Sequence, residues 1–220
     1  MIASDVLKRC STDLSDTGRV RWTESMLLEF LSDAMRQTVL VRPDSNSTVA
    51  VELLAAGNTK QRIPRSAVRF LSLVRNMGAG GTSPGLPIVP TTREAMDSAS
   101  ATWHTDGTSS VVDHYLYNPD TPGYFYVSPP PTEDVYVEME YAKDIEDLAA
   151  LSDELPLSSI WIEPLREYVL YRAFSLNASS ANDRTRADSH LGQFYLALGE
   201  EAKAKLLFNP YSPTSSTGGR

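Results

Sequence analysis

Two histidines and an aspartate in the middle of the chain are the side chains best suited to bind a metal ion. His104 and Asp106 are separated by a single residue and His114 follows nearby, so the three could supply metal ligands. No cysteine pair, HExxH sequence or carboxylate-rich loop accompanies them, and such patterns mark most protein metal sites. We therefore predict no metal and no cofactor. A metal-dependent hydrolase that uses His104, Asp106 and His114 is kept as a third hypothesis.

The remaining residues show no pattern that is typical of nucleophilic catalysis. Cys10 is the single cysteine and occupies an apolar position of a helix-like stretch, so we predict a small buried residue. The chain contains neither a GxSxG sequence nor a Rossmann glycine pattern. The acid pairs Asp13/Asp16 and Glu138/Glu140 are typical of solvated faces. The sequence thus favours a protein that is not an enzyme.

Tyrosines concentrate in the region that contains GYFYVSPPP, residues 123–131. Exposed tyrosine rings can stack on sugars or on bases, although in strands they more often pack a sheet. A sugar- or receptor-binding module built on this Tyr-rich β-sheet is therefore the second hypothesis. The three prolines after the aromatic run are expected to end a strand, because proline cannot donate to a β-ladder.

Composition excludes several classes of protein. The 220 residues are 41% hydrophobic, which is enough for a folded core, and the formal net charge is −8. A strong negative charge argues against wrapping nucleic acid, which requires a basic surface. No apolar run is long enough to cross a membrane, and the first residues do not have the pattern of a signal peptide. We expect assembly in a reducing cytoplasm.

The N-terminal part predicts two helices. The first is expected to start after Ser4 as the N-cap, with apolar residues at helical spacing. The second has Thr23 as its N-cap, a hydrophobic staple of Trp22 with Leu27, and a stop before Pro43.

The middle of the chain changes to patterns that are typical of strands. Residues 49–53 alternate, Gly57 and Asn58 form a turn signal, and residues 66–76 favour a helical turn that leads into a strand. A glycine-rich loop and a short helix capped by Thr92 follow. Residues 111–117, 124–127 and 135–141 predict an antiparallel meander with one wet face.

Two long helices are predicted near the C-terminus, at residues 158–179 and 181–208. The first is apolar nearly all round and should be buried within the domain or between subunits. The fold class is therefore α+β: a helical bundle of N-terminal and C-terminal helices with an inserted antiparallel β region. We divide the chain into residues 1–47 (N-terminal helices), 48–142 (β region), 143–208 (C-terminal helices) and 209–220 (a flexible C-terminal arm).

The order of several landmarks resembles a known protein family. The landmarks, in chain order, are RPD at 42–44, Gly57, Gln61 and Pro64 within AGNTKQRIP, LVRN at 73–76, Trp103, YNPDTPGYFYVSPPP at 117–131 and LREYVLYRAFSLNAS at 165–179. This layout resembles the head-to-tail adaptor (connector) proteins of tailed bacteriophages, especially the short-tailed ones. The resemblance covers nearly the whole chain and brings no catalytic residue with it.

The resemblance implies a structural protein of the virion neck. Such adaptors form a ring, typically a dodecamer, that docks beneath the portal protein and extends the channel for the passing genomic DNA without reading its sequence. They also provide a platform for the tail tube or nozzle and for tail fibres, with no membrane involved. The family docks through helices and a C-terminal arm, so the expected portal-binding residues are Leu206, Leu207, Phe208, Asn209, Pro210 and Tyr211.

Two physical features agree with that expectation. The nearly all-apolar helix needs partners on most of its faces, which ring packing would help to supply. An acidic protein also suits a channel along which DNA slides, because like charges avoid adhesion.

Overall fold

The chain folds into two compact units that are formed by different parts of the sequence. The computed structural model describes residues 1–176 and 181–208, with residue 181 and residues 200–208 described as backbone only. One unit combines Met1–Arg42 with the described residues from Ile145 onward, and the other is Pro43–Asp144. We call them the helical unit and the β unit. The predicted α+β class, with a β region inserted between helices, is confirmed.

The helical unit is built around one central helix. Its helices within the described residues are α1 (Ala3–Asp13), α2 (Glu24–Val41), α4 (Ile162–Ser175) and α5 (Ala181–Phe208). Helices α1, α2 and α5 all pack against α4. Polar pairs also join these helices: the Arg166 Nε lies 2.6 Å from the Asp13 carboxylate, Arg172 pairs with Asp33, and the His190 Nδ1 lies 2.7 Å from the Glu167 carboxylate.

The burial of α4 corrects one of the arguments for a ring. Its buried side chains cover most of the helix circumference, as the apolar sequence predicts: Pro164, Leu165, Glu167, Tyr168, Val169, Leu170, Ala173 and Phe174. The helices that cover them belong to the same chain. The apolar character of α4 is thus explained within one molecule and does not require a neighbouring subunit.

The sequence predicts the N-cap of α2 correctly but not that of α1. Thr23 is the N-cap of α2, and its hydroxyl accepts the N–H of Met26 at 3.4 Å, as predicted. The prediction of Ser4 as the N-cap of α1 is wrong, because that helix begins at Ala3. The Ile2 N–H donates to the Asp5 carboxylate at 3.0 Å and the Ala3 N–H to the Asp153 carbonyl at 2.9 Å, so a local and a distant contact both fix the helix start.

The β unit consists of two sheets, one short α-helix and the 3-10 helix Pro43–Asn46. Its elements are β1 (Ser47–Leu53), β2 (Lys60–Arg62), β3 (Ala67–Asn76), β4 (Val89–Pro90), α3 (Arg93–Ala99), β5 (His114–Tyr117), β6 (Tyr124–Ser128) and β7 (Tyr136–Lys143). One sheet has the order β1-β7-β3 and is antiparallel. The other has the order β2-β6-β5-β4, in which β4 is parallel to β5, so this sheet is mixed.

The core of the β unit lies between the two sheets. Phe70 of β3 stacks on Phe125 of β6 with ring centroids 4.8 Å apart. Around them lie buried residues from both sheets and their connections: Leu54, Leu73, Ile88, Val112, Val127, Val135, Val137, Met139 and Tyr141. This arrangement buries one face of each sheet and leaves the other face open.

Two predictions for the β unit are wrong. Residues 67–76 form strand β3 throughout, with no helical turn inside that range. The predicted meander also fails, since β7 pairs with β1 and β3 and not with β6. The prolines end β6 at Ser128, as expected, and the carbonyls of Pro130 and Pro131 accept the N–H groups of Ser109 and Gly57. This segment carries the chain from one sheet to the other.

Candidate interaction surfaces

The three candidate metal ligands are not brought together. The His104 ring stacks on Trp103 at 3.6 Å, and its Nδ1 lies 2.8 Å from the Thr59 hydroxyl. The Asp106 carboxylate accepts hydrogen bonds from the hydroxyls of Ser100 and Thr102. In the described part of the chain, no group of three histidines, cysteines or carboxylates has the geometry to hold a metal. His104 and Asp106 therefore act locally, in holding the segment around Trp103.

Cys10 is a buried structural residue, as the sequence predicts. Its side chain is fully buried in α1. Burial, together with the nearby Asp13 carboxylate, raises the pKa of the Cys10 thiol to about 12. A thiol with that pKa is not a nucleophile at neutral pH.

Three of the six tyrosines in β5, β6 and β7 pack the core. Tyr115 and Tyr117 of β5 contact the Phe70 ring at centroid distances of 5.6 and 4.9 Å, and Tyr141 of β7 is buried. Burial raises the pKa of both Tyr115 and Tyr117. These rings are therefore not available to stack on a sugar, which weakens the second hypothesis.

The two tyrosines of β6 that point away from this core carry cations over their rings. Lys60 Nζ lies 4.1 Å and Arg62 Cζ 5.3 Å from the centroid of the Tyr124 ring. Arg93 Cζ lies 4.9 Å from the centroid of Tyr126. Cation–π contacts of this kind hold the cationic groups in place beside the aromatic rings. We call Lys60, Arg62 and Tyr124 the Tyr124 face.

Two cavities adjoin the Tyr124 face. One of about 370 Å³ is lined by Lys60, Tyr126 and the turn Thr121–Tyr124. The other, of about 620 Å³, lies between Leu53 at the end of β1 and Arg65. Sequence reasoning missed this surface, although Lys60 with Arg62 and Tyr124 with Tyr126 each stand two residues apart, the spacing that puts side chains on one face of a strand.

The helical unit has a second candidate surface, where three segments meet. Arg42, just after α2, donates a hydrogen bond to the Leu198 carbonyl at 3.0 Å, and its guanidinium lies 5.3 Å from the centroid of the Trp161 ring. We call this meeting point the Arg42 junction. Within two residues of it along the chain stand three exposed apolar side chains: Leu40 at 68%, Ile160 at 50% and Leu196 at 56% exposure. Exposed apolar side chains at this end of the helices are candidates for a contact with another chain.

Comparison with known proteins assigns the chain to a family. The model of the SU10 adaptor protein family matches residues 1–214, nearly the entire sequence. The chain belongs to the SU10 adaptor protein family. No curated protein matches it. The resemblance to phage head-to-tail adaptors that the landmarks indicate is thereby confirmed.

Family membership defines the general role of this adaptor. It is a structural adaptor protein of a bacteriophage, with a place in the virion neck and contacts to portal and tail components in general. A structural adaptor family implies a role other than catalysis. Among the described helices, none is both long and apolar enough to cross a membrane.

The predicted portal-binding residues of this adaptor fall at the limit of the described chain. Leu206, Leu207 and Phe208 belong to the last turn of α5, but their side chains lie outside the described part. Asn209, Pro210 and Tyr211 lie outside the described residues altogether. Their role as portal contacts stays a prediction.

Proposed function

We propose that this adaptor forms a ring, a dodecamer, that docks beneath the portal, extends the DNA channel and provides the platform for the tail tube or nozzle and the tail fibres. The observation that carries the proposal is the match of residues 1–214 to a phage adaptor family. Assembly takes place in the host cytoplasm, and the ring closes through heterologous contacts between identical copies.

The Arg42 junction is the surface of the helical unit that best fits a role in assembly. The exposed side chains of Leu40, Ile160 and Leu196 lie within two residues of it along the chain. Burial of these side chains against a partner would stabilise the contact by about 25 cal/mol per Å² of apolar surface removed from water. We place contacts with the portal or with a neighbouring copy at this end of the unit.

The length of α5 supports docking through the C-terminal segment. Helix α5 has 28 residues and α4 has 14, so they are about 42 and 21 Å long. The Phe194 ring packs on Tyr168 and the His190 ring stacks on Phe174, which makes the two helices antiparallel. The backbone after Leu198 thus continues beyond the start of α4. We propose that the following residues, including 206–211, reach the portal.

The charge of the chain suits passage of DNA without recognition. The formal net charge of −8 repels phosphates over distances of about 10 Å at moderate salt. A channel lined by such a protein would let DNA slide without adhesion. This part of the proposal predicts no measurable affinity for duplex DNA of any sequence.

The proposal is tested by electron microscopy of the adaptor mixed with the portal ring from the same genome. We expect an additional ring of density on one end of the portal. Leu196→Glu, at the Arg42 junction, should reduce occupancy of that ring. Val20→Glu is the matched control, because Val20 is 87% exposed and lies in the connection between α1 and α2. Portal particles without added density at saturating adaptor would overturn the proposal.

A further inference from the structure

Strand β1 presents a free edge. It is the terminal strand of the order β1-β7-β3 and, among the described strands, pairs only with β7, over all seven residues Ser47–Leu53. In the chain as described, no other backbone or side-chain group bonds to the outward edge of β1. A strand of this length with unpaired N–H and C=O groups is a template for another chain.

β1 lacks two of the usual protections of an edge strand, proline and lysine, and has a single inward charge near its C-terminal end. Proline, lysine and inward charges blunt edges in most proteins. Here the only charged residue, Glu52, accepts a hydrogen bond from the Tyr141 hydroxyl at 3.3 Å. The outward side chains are apolar and alternate along the strand: Val49, Val51 and Leu53, at 54, 42 and 54% exposure.

One side of this apolar row is bounded by a glycine loop. A side chain at Gly81 would lie 2.9 Å from Val51 Cγ1 and 3.1 Å from the Tyr136 ring, and the Gly81 backbone has a φ of +73°. The loop therefore approaches the sheet as closely as a glycine permits and supports Val51. Val49 and Leu53 remain open on either side.

The C-terminal end of β1 opens into a basic cavity. The cavity of about 620 Å³ is lined by Leu53, Arg62, Ile63, Pro64 and Arg65, together with Glu52, Ala67, Gly123 and Tyr124. Neither Arg62 nor Arg65 forms an ion pair with any described residue. Two guanidinium groups without carboxylate partners beside an apolar row favour a ligand that has an acid next to apolar side chains.

We propose that β1 is a strand-addition site for an extended acidic segment of a partner protein. The segment pairs its backbone with the free edge of β1. Its alternate apolar side chains pack on Val49, Val51 and Leu53, and a carboxylate beyond them binds Arg62 and Arg65 in the cavity. Main-chain hydrogen bonds supply affinity, and the row with the basic cavity supplies specificity.

Other occupants fit these residues less well. A second copy of β1 offers only Glu52, which already bonds to Tyr141, and so leaves Arg62 and Arg65 unpaired. A nucleic acid would need open aromatic faces for its bases, but the Tyr124 ring is covered by Lys60 and Arg62. The net charge of −8 also opposes a polyanion far more than a segment with a few carboxylates.

The test uses the full chain and a fluorescent heptapeptide of alternating valine and glutamate with blocked ends. The control peptide has lysine in place of glutamate. Binding is measured by fluorescence anisotropy, and backbone amide exchange of residues 47–53 is followed by mass spectrometry. We expect saturable binding of the glutamate peptide, slower exchange within β1, and no binding of the lysine peptide.

Variants separate the two parts of the site. Arg65→Glu should weaken binding about tenfold, which is the usual loss for one charge-assisted contact. With Val49→Lys, the glutamate peptide should no longer slow amide exchange in β1. Arg9→Glu and Val20→Lys, both on exposed positions of the helical unit, should change neither quantity.

Any of four results would overturn the proposal. One is the absence of binding at millimolar glutamate peptide. Another is equal binding of the lysine peptide. The third is binding that leaves the exchange of β1 unchanged. Tighter binding of a single-stranded oligonucleotide than of the glutamate peptide would instead assign the cavity to nucleic acid and would also contradict the proposal.

Discussion

At the scale of single residues, the Gln61 amide organises the turn that leads into β2. Its side chain is buried, its Oε1 accepts the N–H of Ala55 at 2.7 Å, and its Nε2 donates to the carbonyls of Ala55 and Asn58. The sequence marks Gln61 only as a family landmark. Its physical role follows from three hydrogen bonds to the loop that joins β1 to β2.

Replacement of Gln61 should destabilise the β unit. Gln61→Leu keeps the volume but leaves one N–H and two carbonyls without their partner, and we expect a loss of about 2 kcal/mol in the free energy of unfolding. Urea denaturation measures it. Gln193→Leu, on an exposed position of α5, is the matched control and should change stability by less than about 0.5 kcal/mol. Equal losses in both variants would contradict this role.

Cys10 should be unreactive in the folded protein. Burial raises the pKa of its thiol from 9.0 to about 12, so the folded chain should resist a thiol reagent at pH 8 that labels the unfolded chain rapidly. The same pKa shift makes the stability of the folded state depend on pH. The folded state keeps the proton that the unfolded state loses above pH 9, so stability should fall as the pH rises from about 9 to 12.

Cys10→Ala provides the control for this pH dependence. The variant lacks the thiol, so its urea midpoint should decline less between pH 9 and 11 than that of the natural chain. Rapid labelling of the folded natural chain at pH 8 would show that the thiol is accessible and would contradict the prediction.

The residues that the sequence predicts correctly are those with local partners. Thr23 and Thr92 each accept an N–H three residues further along the chain, and both were predicted as N-caps. Ser4 fails because the Asp5 carboxylate accepts the Ile2 N–H and the distant Asp153 carbonyl accepts the Ala3 N–H, so α1 begins before Ser4. The cations over Tyr124 were also missed, since β2 and β6 meet only in the fold.

At the scale of elements, α4 is the helix on which the helical unit depends. Leu165 is fully buried in it, and Leu165→Ala should therefore cost about 2–5 kcal/mol in the free energy of unfolding. Leu176 directly after α4 is 58% exposed, so Leu176→Ala should cost less than about 0.5 kcal/mol. Thermal and urea unfolding followed by helical circular dichroism measures both. Similar costs for the two would mean that α4 is not the centre of this unit.

Strand β3 shows why an element can mislead sequence analysis. Its buried residues are Phe70, Leu73 and Asn76, at a spacing of three that is typical of a helix. The register against β7 shifts at three places, so Phe70, Leu73 and Asn76 oppose Tyr141, Met139 and Val137. Each bulge adds one residue and converts the period of two into a period of three. No local sequence pattern predicts such bulges.

The alternation of β7 gave the correct strand and the correct faces but not its neighbours. Val137, Met139 and Tyr141 are buried, as predicted. Pairing with β1 and β3 depends on contacts across the sequence, which a period of two does not encode. The free edge of β1 follows from that pairing and was therefore out of reach of sequence analysis.

At the scale of the whole molecule, the class of fold and the family were predictable and the surfaces were not. Ordered landmarks such as Gln61 and Trp103 indicate the adaptor family, which the match over residues 1–214 confirms. The Arg42 junction joins residues from three distant segments, so no stretch of sequence contains it. The acidic composition alone predicts that the protein repels DNA.

The most direct test of the adaptor account is cosedimentation of this protein with the portal ring from the same genome. The full chain should bind saturably, at about one chain per portal subunit. A version that ends at Phe208 should lose most of that binding if residues 209–220 form the docking arm. Failure of the full chain to sediment with the portal under any salt condition would contradict the account.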